Sequence, residues 1–327
     1  MKRALVVLLA LVMGAGLVFA ADQAPAKWGG YLEGNFIFWN QDGQVAVTDW
    51  YTAYTLSYAE SVFGFTATME PAQDAFAVSW RNVQGWYKLF DGMLKVTLGK
   101  DRIGDYRATT FIEGGGAYTR IANAEWGTAF QVYPVEGLSA GVFVKFPTAL
   151  TDQDYVNSLG VGVSYAVAKV ATINALFRTM DSGVSPAALE NELGLSATIN
   201  AIEGLALMVG YGVKLYDVND PLHNILLSAK FTGLDAWTFM LDANLAYQTV
   251  ADYAVELEAD YALNESWTAG VNLEYGNNGY GPLADTGFYV YPWIQANIGT
   301  AHTLKLGFTF ETDPTIWSIP LFYTMSF

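Results

Sequence analysis

Cysteine is missing from all 327 residues. A lipid anchor on an N-terminal cysteine, disulfide bridges and thiolate metal sites are therefore excluded. Histidine occurs only as His223 and His302, which leaves little material for imidazole catalysis, and no Gly-x-Ser-x-Gly or metal-ligand spacing is present. Charge is sparse, at 15% of residues, and one-sided, with 16 basic residues against 32 acidic ones. Nucleic acid and anionic headgroups are poor partners for such a field. Beyond the first 20 residues the chain also lacks a long apolar run: no stretch of 18 is unbroken, and the nearest, Gly160 to Phe177, is interrupted by Ser164, Lys169, Thr172 and Asn174. That stretch alternates on both sides of Lys169, so it reads as a hairpin and not as a membrane helix.

What is abundant is aromatic: 20 Tyr, 19 Phe and 10 Trp, or 15% of the chain. The last nine residues, Ile319-Pro-Leu321-Phe-Tyr323-Thr-Met325-Ser-Phe327, place an apolar side chain at every second position. Period two means a strand with one oily face. A strand ending on Phe327 resembles the closing strand of bacterial outer-membrane barrels, and the resemblance implies recognition of Phe327 by the barrel assembly machinery. At the other end, Met1-Lys2-Arg3, the apolar Ala4 to Val18 and then Val18-Phe19-Ala20 have the order of a secretory signal peptide. We expect residues 1–20 to be removed and residues 21–327 to form one domain, since no linker or shift in composition divides them. The mature chain then carries 14 basic and 32 acidic residues, a formal charge of −18.

Short turns are expected near Glu60, Asp91, Glu136, Ala168, Glu203, Leu234, Asn264 and Gly299, at intervals of 30 to 35 residues with a single exception of 45. About 31 residues accommodate two membrane-crossing strands of ~10 residues, one outer loop and one tight turn. The expectation is an all-β, antiparallel transmembrane barrel of 18 strands, or 16 if a hairpin between Val47 and Glu70 fails to form. The long interval holds the longest loop, Ile103 to Gly116, which is third among the outer loops.

The strands have two faces. After Ala236 one face reads Trp237, Phe239, Leu241, Ala243, Leu245, Tyr247, and the other Thr238, Met240, Asp242, Asn244, Ala246, Gln248. Tyr253, Val255, Leu257, Ala259, Tyr261 against Glu256, Glu258, Asp260 repeat the division, as do Trp267, Ala269, Val271, Leu273, Tyr275 against Thr268, Gly270, Asn272, Glu274. Trp and Tyr open and close the apolar rows while Leu, Val and Ala fill the middle, the order of an interfacial girdle around hydrocarbon. A soluble sandwich has a dry face too, but no reason to rim it in this way. With its signal, strand number, short turns and terminal Phe327, the mature chain resembles the porins of Gram-negative outer membranes. Barrels of 16 to 18 strands keep an aqueous lumen, so the resemblance implies a passive diffusion channel for small hydrophilic solutes and ions, with outer-membrane lipid as its surroundings and a homotrimer as a common assembly.

On this register the inward acids are Glu33, Glu70, Glu125, Glu190, Glu192, Asp242, Glu256, Glu258, Asp260, Glu274 and Glu311; the inward bases are Arg81, Lys88, Lys95, Lys145, Arg178, Lys214, Lys230 and Lys305. The excess of acids points to a modest cation preference, although lumen charges also simply keep a wall wet and pair across strands. Tyr289, Tyr291 and Trp293 form an inward row that is either a stacking track for sugars or packing around Pro292. In general porins the third outer loop narrows the lumen; by that resemblance Asp105, Arg107 and Glu113 are candidate constriction residues, the alternative being an ordinary surface loop. Two other readings stand beside the channel: a surface adhesin or structural barrel, which larger loops would favour, and a barrel protease using Asp220 and His223. No cofactor or metal site is expected.

Overall fold

The computed structural model describes residues 27–43, 46–71, 78–103, 106–112, 116, 120, 122–146, 159–181, 189–216, 220–277, 287–312 and 315–326. The expected signal, residues 1–20, and Phe327 lie outside them. The first strands are β1 (Lys27–Asn40), β2 (Ala46–Ala59), β3 (Phe63–Pro71), β4 (Val78–Leu89), β5 (Leu94–Ile103), β6 (Ala122–Val135), β7 (Leu138–Lys145), β8 (Leu159–Val167) and β9 (Ala171–Asp181). They are followed by β10 (Leu189–Ile202), β11 (Leu205–Leu215), β12 (Leu222–Leu234), β13 (Trp237–Tyr247), β14 (Ala251–Ala262) and β15 (Trp267–Gly276). The last are β16 (Gly287–Ile298), β17 (His302–Gly307), β18 (Thr309–Thr312) and β19 (Thr315–Ser326).

Each segment pairs antiparallel with its neighbour, and β1 bonds to both β2 and β19, which closes the sheet. β17 and β18 are one strand broken at Phe308, since both pair with β16 on one side and β19 on the other. The barrel therefore has 18 strands and not 16; the Val47 to Glu70 hairpin forms as β2 and β3. Closure leaves no open edge, so every strand bonds on both sides, as hydrocarbon demands of a peptide backbone.

Short turns at 60–62, 90–93, 136–137, 168–170, 203–204, 235–236, 263–266 and 299–301 gather at one end. Three share one design. Val135-Glu136-Gly137-Leu138, Ile202-Glu203-Gly204-Leu205 and Leu234-Asp235-Ala236-Trp237 each follow a register shift in the strand before the turn. In each the third residue has positive φ: 79° at Gly137, 72° at Gly204 and 62° at Ala236. Its carbonyl accepts the N–H of Ala166, Thr232 or Ala262 from the next hairpin. A turn closed by a left-handed residue next to a bulge suits the strand twist, and glycine adopts it without a Cβ clash.

Side chains alternate across the wall. In β11, Leu207, Val209 and Tyr211 are exposed on the outside while Met208, Gly210 and Gly212 are buried within. Aromatics rim the outer surface at both ends: Trp237 meets Tyr261 with ring centroids 4.8 Å apart near the short turns, and Tyr253 meets Tyr275 at 6.0 Å near the other end. The ten residue steps from Trp237 to Tyr247, at about 3.4 Å each and tilted by about 40–45°, span ~25 Å, the height of a hydrocarbon band.

Candidate functional site

The connection between β5 and β6 turns inward. Residues 106–112 run along the inner wall, beginning with Tyr106, which is 1% exposed. Its ring crosses Gly141 of β7 and Gly162 of β8, where a Cβ would collide with it, and its hydroxyl accepts a hydrogen bond from Gln131 Nε2 of β6 at 3.2 Å. Glycines on adjacent strands make the groove that admits a ring this close to the backbone. Ile103, Tyr106, Ala108 and Phe111 then pack on an apolar strip of the wall made by Ala129, Phe143, Leu176, Met208 and Leu226.

Wall side chains also satisfy the loop's backbone donors. Ala108 N–H donates to Ser196 Oγ at 2.8 Å, and Phe111 N–H is shared between Ser228 Oγ at 3.0 Å and Asp242 Oδ1 at 3.2 Å. Ile112 N–H donates to Asp242 Oδ2 at 3.0 Å. Asp242 additionally accepts from the Ser228 hydroxyl. The segment thus rests on the arc from β6 to β13, fixed by apolar packing at its start and by a buried carboxylate at its end. Arg107 lies against Gly116, where a Cβ would meet its Nη1 at 2.8 Å. Asp105 and Glu113 lie outside the described residues.

The other sequence-derived positions distribute around the inner face. Arg81 pairs with Glu70 at 3.2 Å, Lys145 with Glu125 at 3.6 Å and Lys214 with Glu192 at 3.0 Å, while Arg178 pairs closely with the same Glu125. Lys88 and Lys95 stand opposite each other on β4 and β5, both beside the Trp86 ring. Acids gather on β13 to β15: Asp242 is opposite Glu256, Glu256 is opposite Glu274, and Glu258 is opposite Asn272. Asn272 Nδ2 donates to both Glu256 and Glu258, the latter at 3.3 Å. Asp260 lies one pair further on, opposite Gly270, and Lys230 is opposite Met240 on the same face. Glu33 belongs to the inward row of β1, Glu190 to that of β10, and Glu311 is opposite Tyr289.

Tyr289, Tyr291 and Trp293 are buried together with Phe322 at their flank. Lys305 Nζ lies 4.0 Å from the centroid of the Trp293 ring and 5.1 Å from that of Tyr291. His223 sits on the outward row beside Tyr211, whose hydroxyl is 2.8 Å from its Nδ1. Asp220 offers its backbone carbonyl to Gln248 Nε2 at 2.7 Å, and no ion pair or hydrogen bond joins it to His223 among the described residues. His302 likewise meets the Tyr323 hydroxyl at 2.8 Å near the short turns.

Tyr106, Ser196 and Ser228 were invisible as functional residues in the sequence, and Asp242 was visible only as an inward acid. One signal was there: inward positions such as Phe143, Leu176, Met208 and Leu226 are apolar although a water-filled lumen favours polar walls. Apolar residues on both faces of a strand require a cover on both.

No family model matches the sequence, and no curated protein matches it. Solved structures do. A multiply substituted Rh. blastica porin aligns with a TM-score of 0.56 and 14% identity over 93% of this chain and 100% of that one. The outer membrane protein OpdK from Pseudomonas aeruginosa aligns with a TM-score of 0.61 and 10% identity over 93% and 99%, and Acinetobacter baumannii OccAB4 with 0.58 and 11% over 94% and 99%. The chain has the fold of the bacterial outer-membrane porins, a closed antiparallel barrel of 18 strands.

Proposed function

We propose that this protein is an outer-membrane porin: a passive diffusion channel, and not an enzyme, for small hydrophilic solutes and ions, with a modest preference for cations. Export through a cleaved signal, residues 1–20, and residence in the outer membrane of a Gram-negative cell belong to the same reading. The observation that carries it is the loop packed inside a wide barrel. A closed sheet of 18 strands encloses more space than side chains fill, and residues 106–112 take up part of it against one arc of the wall, leaving a passage beside β14 to β19 and β1 to β4. Arg107 and the acids Glu258 and Asp260 border that passage, with Glu256 and Glu274 buried in the wall beside them; Asp105 and Glu113 complete the proposed constriction. Acids gathered on β13 to β15 support the preference for cations, because a charged ring at close quarters raises the local concentration of the opposite sign.

Single-channel recording in a planar bilayer tests the reading. Stepwise ohmic currents are expected, with a reversal potential of cationic sign under a salt gradient. Replacing residues 104–116 by a short Gly-Ser turn is expected to raise the unit conductance and admit larger solutes. A barrel that inserts without conducting overturns the channel, and a conductance unchanged by the replacement moves the constriction to the wall.

A further inference from the structure

The inner wall of β14 to β17 carries aromatic rings that are covered by a charge of the protein's own. Trp293 and Tyr291, each 8% exposed, lie on the wall over glycines. A Cβ at Gly270 would meet both Trp293 Cε2 and Asp260 Oδ1 at 2.6 Å, so the carboxylate borders the indole; Tyr291 crosses Gly307 in the same way. Lys305 Nζ sits over the two rings, 4.0 Å from Trp293 and 5.1 Å from Tyr291. Glu258 reaches the same patch through Asn272, which stands opposite Tyr291. Within the described residues, Trp293 Nε1, Tyr291 Oη and Asp260 Oδ1 have no hydrogen-bond partner.

We propose that this patch is a lumen subsite for small organic ammonium ions, with the Lys305 ammonium as its tethered resident. The proposal rests on the channel reading and names a solute class for it. An ammonium group gains from the quadrupole of an indole face and from a carboxylate at its edge, and Lys305 already occupies that position. Its tether gives it a high effective concentration, so a free amine competes with the side chain and is held only while Lys305 swings aside. Brief, repeated binding of this kind suits conduction, where a solute must leave as readily as it enters. A neutral sugar fits less well, because displacing Lys305 strips its ammonium of both rings and puts no charge in its place.

The probe is n-butylammonium, which reproduces the lysine tail, and binding to the purified protein in detergent is read by saturation-transfer NMR. In Lys305→Ala, binding is expected to be saturable and about tenfold tighter than in the parent protein. Adding Trp293→Ala, or Trp293→Leu to keep an apolar side chain without the ring face, is expected to abolish the gain. Lys145→Ala removes the same charge from the far arc, where Lys145 pairs with Glu125, and is expected to give no such gain. Equal affinity in Lys305→Ala and the parent, a gain that survives loss of the indole, or an equal gain in Lys145→Ala overturns the proposal. This measurement does not depend on conduction, so a barrel that binds the amine but passes no current overturns the channel reading alone.

Discussion

Asp242→Ala is expected to release the distal half of the inward loop while leaving the barrel standing. Asp242 is 1% exposed and accepts two backbone N–H groups, from Phe111 at 3.2 Å and Ile112 at 3.0 Å. Hydrogen bonds to a charged acceptor contribute roughly 1.5–3 kcal/mol each. Water in the lumen solvates part of what is lost, and Ser228 still accepts from Phe111, so the net cost of the substitution to loop docking is about 2–3 kcal/mol. That corresponds to about 30- to 150-fold in the population of the undocked loop. Amide exchange followed by NMR reads it directly. Ile112, which loses its acceptor, is expected to exchange faster by that factor, and Phe111 by less. Asp242→Asn, which retains an acceptor oxygen, falls between. The temperature at which the folded band is lost on a gel is expected to move little, since the strand ladders of β13 are backbone bonds, while the single-channel conductance rises and becomes noisier. Unchanged protection at Ile112 in Asp242→Ala would refute the anchoring role.

Three further outcomes are expected. Glu256→Gln, Glu258→Gln and Asp260→Asn together remove three acids from one arc and are expected to bring the reversal potential under a salt gradient toward zero; a cation preference as strong as before would locate selectivity elsewhere. Gly162→Val places methyl groups where the Tyr106 ring lies, so the loop is expected to lift and the conductance to rise, although valine favours strands; retention of the wild-type conductance would show that the wall yields instead. Ala236→Gly relieves a left-handed φ of 62° and is expected to stabilise the barrel by about 0.5–1 kcal/mol, glycine's extra chain entropy offsetting part of the gain. Urea unfolding in vesicles measures it, and a loss of stability would contradict the strain argument.

The barrel was legible because its determinants are local. Alternation from Trp237 to Tyr247 assigns both faces from eleven consecutive residues, and turns such as Glu136-Gly137 announce themselves by a residue suited to positive φ. The loop's destination was not legible. Its anchors are separated from it by 88 residues at Ser196, 117 at Ser228 and 131 at Asp242, and nothing within a window of ten residues records such a meeting. What the sequence did hold was the complementary surface, scattered over five strands: Gly141 and Gly162 with room for a ring, and Phe143, Leu176, Met208 and Leu226 as an apolar bed. His223 shows the opposite difficulty. Proximity to Asp220 in the chain suggested chemistry, yet one step of strand parity turns its ring outward, beside Tyr211.

Those same separations make docking of the loop a late event in assembly. A segment that ends at Ile112 is made before β6 exists, yet its last anchor is on β13. Docking therefore cannot finish until more than two thirds of the wall is in place, and loop closure over such lengths is slow compared with pairing adjacent hairpins. Tyr106 needs β7 and β8, Ala108 needs β10 and Ile112 needs β13, so the loop seats fully only when all of these strands are paired. The passage therefore reaches its final width late, whichever end of the sheet pairs first, and an unfinished barrel is wider inside than the finished one.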